Sequence, residues 1–165
     1  MEIYPGHAAY HQACSGNTER PVVCIGNFDG VHIGHQQIIR VARELSKGKV
    51  PVFVYTFRPH PQVLLRPDHP FEFLSTYKER AQFLQEAGVQ VLVEEPFDRS
   101  FSEISAEDFI SRILFKSLNP FGIAVGFNFG FGQGRKGNLE LLKTHCDRHQ
   151  VRLVTVDKKI VDQEI

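Results

Sequence analysis

The sequence predicts an α/β fold, a parallel sheet with helices on both faces. Two observations carry this. Short apolar runs rich in β-branched residues alternate with segments of helical apolar spacing from Val22 to Val156. The glycine-rich stretches also fall at strand-to-helix turns, the edge where such folds bind ligands.

Residues 1 to about 20 are polar and carry Pro5, Gly6, Gly16 and Asn17, which reads as a loosely structured lead-in with room for a short edge strand at its start. The domain proper runs from 21 to 165. Val22-Val23-Cys24-Ile25 ends at Gly26-Asn27 and reads as a buried strand. Ile38, Ile39, Val41, Ala42 and Leu45 mark a helix that Lys47-Gly48 closes. Val50 to Phe57 is a second strand, followed by a loop holding Pro59, Pro61, Pro67 and Pro70. A helix over 75–87 has Ser75 or Thr76 as its N-cap and Phe83 and Leu84 on its apolar face, and Gly88 ends it. Val89 to Val93 is a third strand. Ser105 caps a helix carrying Phe109, Ile110, Ile113 and Leu114, with Asp108 in the place of the capping-box glutamate. Ile123 to Gly126 is a fourth strand, Leu139 to His149 a helix, and Val151 to Val156 a fifth strand.

Apolar residues make up 42% of the 165, enough for a core. Nineteen lysines and arginines balance nineteen acidic residues, which argues against a dedicated nucleic-acid binder. Three cysteines, Cys14, Cys24 and Cys146, give neither a disulfide framework nor metal-type spacing, and fit a reducing cytoplasm. Neither a signal peptide nor a membrane span is legible, so no membrane partner is expected, and nothing speaks to oligomeric state. Charge is uneven along the chain. Glu86 to Asp108 holds seven acidic residues and one basic, read as an outer helix and loop; Gly132 to Lys159 holds seven basic and three acidic.

The first chemical motif is Gly26-Asn27-Phe28-Asp29-Gly30-Val31-His32-Ile33-Gly34-His35, where the first strand becomes the first helix. Glycines on either side of Asn27, Phe28 and Asp29 permit a tight turn. His32 and His35, three apart, fall on one side of the opening helical turn, whose free N–H groups make an anion site. Two imidazole donors there suit a polyphosphate, and Gly34 leaves room for a flat group such as a purine. Bare His-x-x-His also reads as a solvated helix start, or as two zinc ligands with His60 as a candidate third. The rigid Pro59-His60-Pro61 loop reads either as a stiff surface loop or as one wall of an aromatic site. In Val125 to Gly132, phenylalanines alternate with glycine and Asn128 on the binding edge, and Arg135 and Lys136 follow within reach of phosphate oxygens.

His-x-Gly-His after a first strand resembles the signature of the nucleotidyltransferase superfamily. The longer string Gly26 to His35, then Thr56-Phe57-Arg58-Pro59-His60-Pro61, then Leu74 to Arg80, then Val125 to Gly132 with Arg135-Lys136-Gly137, resembles the bacterial FAD synthetase family in four motifs in order. In that family this domain is the N-terminal part of the bifunctional riboflavin kinase/FMN adenylyltransferase. The resemblance implies a Rossmann-like nucleotidyltransferase fold and transfer of AMP from ATP to FMN, giving FAD and pyrophosphate, with Mg²⁺ accompanying ATP. It implies catalytic roles for His32, His35, Asn27 and Asp29, ATP contacts from Gly26, Phe28, Gly34 and Arg135, flavin contacts from Pro59, Pro61, Asn128 and Phe129, with the adenosine side also open to Asn128, and no metal held by the protein. The family often has Asp where Asn128 stands, so the pairing made there differs. Its Ser-Ser-Thr-x-x-Arg-like phosphate stretch and its kinase module have no counterpart in a sequence that stops at Ile165, with Lys158 and Lys159 poor substitutes; low turnover is the expectation. Three other readings stand beside this one. A pantetheine-phosphate adenylyltransferase or cytidylyltransferase would share the histidines but not the other motifs. A class I aminoacyl-tRNA synthetase fragment would share His32-Ile33-Gly34-His35, but no Lys-Met-Ser-Lys-Ser segment is present. The third is a non-catalytic flavin- or nucleotide-binding module.

Overall fold

In the computed structural model, which describes residues 1–157, the apolar runs pair into one parallel sheet. Its strands are β1 (Glu2–Tyr4), β2 (Val22–Ile25), β3 (Val52–Arg58), β4 (Val91–Pro96), β5 (Gly122–Gly126) and β6 (Arg152–Val156). They lie in the order β1-β4-β3-β2-β5-β6. From β2 the chain adds β3 and β4 to one side, then crosses back to add β5 and β6 to the other. The winding reverses between β2 and β5, and a crevice opens beyond their carboxyl ends. Lys158, Lys159 and Ile165 lie outside the described residues.

The helices are α1 (His7–Ala13), α2 (Ile33–Ser46), α3 (Pro61–Leu65), α4 (Tyr77–Glu86), α5 (Arg99–Ser102), α6 and α7 (Leu139–Arg148). Helix α6 opens as one α-turn, Ala106–Asp108, and continues in π-type winding over Phe109–Leu118. Side chains alternate across each strand, so the sheet feeds two cores. Val22, Cys24, Val54, Leu92 and Ala124 pack under Ile38, Ile39 and Ala42 of α2 and Leu84 of α4. Val23, Ile25, Phe53, Tyr55, Val93, Ile123 and Val125 pack under Tyr10, Ile110, Ile113, Leu114, Leu142 and Cys146 of α1, α6 and α7. Helices therefore cover both faces, as the pattern predicts. β2 is buried at every residue, which is why its run is apolar throughout.

Four local expectations are corrected. The lead-in does hold the short edge strand expected at its start, β1 paired with β4, but the chain then forms a helix, α1, where a loose segment was expected. Its anchors are Tyr10, edge-on to Phe53 at 5.2 Å, and His7, whose N–H and Nδ1 both reach the Glu95 carboxylate at 2.8 Å. In α4 the cap is Thr76, completing a capping box with Glu79; Phe83 is 39% exposed, and the inward position goes to Arg80, 3% exposed. The acidic stretch is not all outer surface, because Glu94 and Glu95 lie on β4 and are paired inside. The proline-rich loop and the segment after β4 each hold a short helix, α3 and α5, capped by the side chains of His60 and Asp98.

Candidate active site

The chain leaves β2 through Gly26 and Asn27 and turns sharply, with Phe28 at φ 53° and Gly30 at φ 72°. Only glycine fits at 30: a Cβ there would stand 2.8 Å from that of Leu74. The Asp29 carboxylate accepts the N–H groups of Leu74 (3.0 Å) and Ser75 (3.2 Å), and the Gly30 N–H donates to the Ser75 hydroxyl at 3.0 Å. So fixed, the turn makes His32 the N-cap residue of α2 and places His35 in its first turn. Their rings stack at 3.6 Å between centroids, and the buried Phe28 ring lies 4.9 Å from His35.

Burial pushes His35 down to about 3, with His32 beside it adding to the effect. Burial also lowers His32, against the opposing pull of Asp29. Both rings are therefore neutral imidazoles near neutral pH. The Nδ1 of His35 is buried without a partner among the described residues. A buried N–H lacking an acceptor is costlier than a bare lone pair, which assigns the His35 proton to Nε2.

The opposite lip follows β5. Gly126, Phe127 and Asn128 face the histidine turn across the crevice. Paired hydrogen bonds between Phe131 and Gly137 close the loop (3.2 and 2.8 Å), and Gln133 N–H to the Ile104 carbonyl, 2.8 Å, ties it to the segment before α6. Gly132, at φ 75°, seats it against Ala106, whose backbone lies 2.6 Å from where a Cβ would be. Arg135, at φ 54°, lays its guanidinium over Gly130 and donates to the Asn128 carbonyl at 2.9 Å.

Two cavities of unlike chemistry result. The first, about 360 Å³, lies between the lips and is lined by Gly26, Asn27, His32, Gly34, His35 and Asn128 among others. The second, about 230 Å³, is aromatic, walled by Phe57, Phe97, Phe101, Phe109, Phe129 and Phe131, with His60 and Pro61 at its side. Asn27, Phe57, Phe129, Gly130 and Arg135 line both and form a common wall. A larger open depression of about 770 Å³, edged by Arg43, Glu44, Lys49 and Gly88, lies by the C-terminal end of α2 and the start of β3. It has mixed charge and none of the glycine-rich turns, so its size alone does not make it the site.

The common wall is braced from behind. Arg80 reaches in from α4 and donates to the carbonyls of Asn27 (3.2 Å) and Phe57 (3.1 Å) and, at 2.7 Å, to the Glu94 carboxylate. The Thr56 hydroxyl also donates to the Asn27 carbonyl, at 3.1 Å. One buried cation thus ties the carboxyl ends of β2, β3 and β4 together.

The structure brings His32, His35, Gly26, Gly34, Asn27, Asn128, Phe129 and Arg135 to the first cavity, and Pro61 to the second. Three of the expected residues stand differently, and a fourth, Asn128, takes one of the two sides the resemblance left open. Phe28 is fully buried and backs His35 without lining either cavity. The Asp29 carboxylate is taken up by Leu74 and Ser75 and lines neither cavity. Pro59 is exposed outside both, because the loop turns inward only at His60. Asn128 lies in the first cavity and not in the aromatic one. Among the described residues no three His, Cys, Asp or Glu side chains converge on a metal position; His60 instead stacks on Phe71 at 4.1 Å. Sequence reasoning gave no site role to Arg80 or to the phenylalanines at 57, 97, 101 and 109, although Phe57 and Arg80 fall within its motifs and Phe109 on its helix; they come from separate segments, and no local pattern brings them together.

The FAD synthetase family model matches residues 14–165. The bifunctional riboflavin kinase/FMN adenylyltransferase of Escherichia coli K12 is 38% identical over 134 residues, covering 81% of this chain and 43% of that protein. The FAD synthetase of Listeria monocytogenes is 35% identical, covering 82% and 55%. The Bacillus subtilis bifunctional protein is 30% identical, covering 91% and 49%. The chain thus spans about half the length of the curated relatives it matches. Among solved structures, a chain named macrolide-efflux protein from Streptococcus pneumoniae superposes with TM-score 0.79 at 30% identity, over 94% of this chain and 50% of that one. Among the described residues no helix is long and apolar enough to cross a membrane. A pantoate-beta-alanine ligase from Francisella tularensis shares the fold, with TM-score 0.58 at 15% identity, over 95% and 67%.

Proposed function

The chain belongs to the FAD synthetase family, and from that premise we propose that this domain transfers the adenylyl group of ATP to FMN. The observation that carries the reading is the pair of cavities joined by one wall: an imidazole- and glycine-lined cleft beside an aromatic one. ATP occupies the first, with its phosphates at the start of α2 and its flat base over Gly34. The flavin ring occupies the second, among the phenylalanines and Pro61. The reacting phosphates then meet at the common wall.

An oxygen of the FMN phosphate attacks the α-phosphorus of ATP in line. A new P–O bond forms, the bond from the α-phosphorus to the bridging oxygen breaks, and pyrophosphate leaves. The attacking oxygen is already anionic, so no general base is required, and the protein's task is alignment and charge stabilisation. His32 and His35, as neutral imidazoles, donate hydrogen bonds to phosphate oxygens without first having to lose or gain a proton. Asn27 and Asn128 orient the nucleotide from opposite lips. A metal that arrives on the phosphates of ATP fits this cleft, where the Asp29 carboxylate is occupied by backbone donors and the imidazole and amide side chains face the phosphates. When bound there, Mg²⁺ neutralises charge on the leaving phosphates.

The test is direct. The chain is mixed with MgATP and FMN, FAD and pyrophosphate are assayed, and flavin fluorescence and calorimetry follow binding. FAD and pyrophosphate in equal amounts support the transfer. Binding of both substrates without FAD would leave a nucleotide- and flavin-binding module in its place.

A further inference from the structure

Arg135 is the one cationic side chain that lines either cavity among the described residues, and it lines both. Among those residues no carboxylate pairs with it, and its guanidinium donates to the Asn128 carbonyl. Arg135 is solvent-exposed and, like Gly134, has a left-handed backbone, and the absence of a side chain at Gly130 gives its guanidinium a seat: a Cβ there would stand 2.8 Å from Nε and 2.9 Å from the second terminal nitrogen. A planar fork of donors, held at a seam between two ligand cavities and lacking an anionic partner, suits a phosphate.

Resting on the adenylyl-transfer reading, we propose that Arg135 is the residue that selects the phosphorylated flavin over its unphosphorylated counterpart. The aromatic cavity offers the isoalloxazine ring contacts that FMN and riboflavin share. The two ligands differ only in the terminal phosphate, and the guanidinium stands where the end of the flavin chain leaves the aromatic wall for the nucleotide cleft. Arg135 is thereby a specificity determinant for the acceptor, and Gly130 determines specificity indirectly by leaving the guanidinium its place.

The experiment is fluorescence titration of the chain with FMN and, separately, with riboflavin, for the parent, Arg135→Ala, Arg135→Lys and Gly130→Ala, with circular dichroism as the check on folding. The parent should bind FMN more tightly than riboflavin. Arg135→Ala should weaken FMN by about 10- to 100-fold, the loss of a hydrogen-bonded charge, and leave riboflavin within about twofold. Arg135→Lys should recover part of the FMN affinity. Gly130→Ala keeps the cation but displaces it, and should show the same one-sided loss in weaker form. Equal losses for FMN and riboflavin, or an unchanged FMN affinity in Arg135→Ala, would overturn the proposal. A parent that binds neither flavin would instead remove the flavin reading on which it rests.

Discussion

Arg80→Met removes the guanidinium that braces the common wall while keeping an unbranched stem as far as the position of Nε. The substitution leaves the Glu94 carboxylate, whose side chain is 10% exposed, without its 2.7 Å partner. Breaking a buried pair from one side costs about 3–5 kcal/mol. Two features of this site favour the lower end. Arg58 stands 3.7 Å from the other Glu94 oxygen with 55% of its side chain exposed, and so can follow the carboxylate. The Asn27 carbonyl also keeps its bond from the Thr56 hydroxyl. The expected loss is therefore about 3 kcal/mol, which for a domain of this size lowers the melting temperature by roughly 6–12 °C. Urea unfolding followed by circular dichroism measures it. The double variant Arg80→Met/Glu94→Gln should recover part of the loss, because the stranded charge goes with its partner. A single-variant loss below about 1 kcal/mol, or strictly additive effects in the double variant, would refute a buried pair that depends on both members.

Replacing His32 or His35 by Ala should lower the rate of FAD formation by about 10²-fold, with little change in melting temperature for exposed His32 and a moderate fall for His35, whose ring packs on Phe28; a parental rate in either variant removes that ring from the phosphates. His35 also makes stability depend on pH. Its folded value, about 3, lies below the ordinary 6.5, so as pH falls the unfolded chain takes up this proton first. Stability is complete above about 6.5 and is lost on acidification toward 3; His35→Gln should flatten that slope in denaturant titrations, and identical slopes would contradict it. Asn128→Ala should raise the KM for ATP and spare that for FMN, since the side chain lines the cleft and not the aromatic cavity; the opposite split would return Asn128 to the flavin side.

What could be read in advance divides along physical lines. Continuous apolar runs such as Val22 to Ile25 mark strands because both faces of a parallel strand must be buried, and the glycines after them mark the ligand edge. The histidine turn was legible because its parts are contiguous. Helix α1 was not, because it docks through one tyrosine and one histidine–carboxylate contact, too few for a periodic pattern. Arg80 was not, because an arginine on an amphipathic helix is ordinarily solvated, and only the sheet order brings three partners from β2, β3 and β4 within its reach. The aromatic cavity takes its walls from β3, the segment around α5, the start of α6 and the loop after β5, a convergence that no local window contains.

The sheet order also dictates when the site can exist during synthesis. Val22 pairs with Val52, but its other neighbour, Gly122, lies a hundred positions further along the chain. At about 5–20 residues per second, the histidine-bearing turn waits roughly 5–20 s on the ribosome before the opposite lip has been made. Closing so long a loop also carries an entropic cost that neighbouring strands avoid. A nascent chain that has completed β2, β3 and β4 has most of its architecture and one lip of its cleft, and the second lip arrives only when β5 seats against β2.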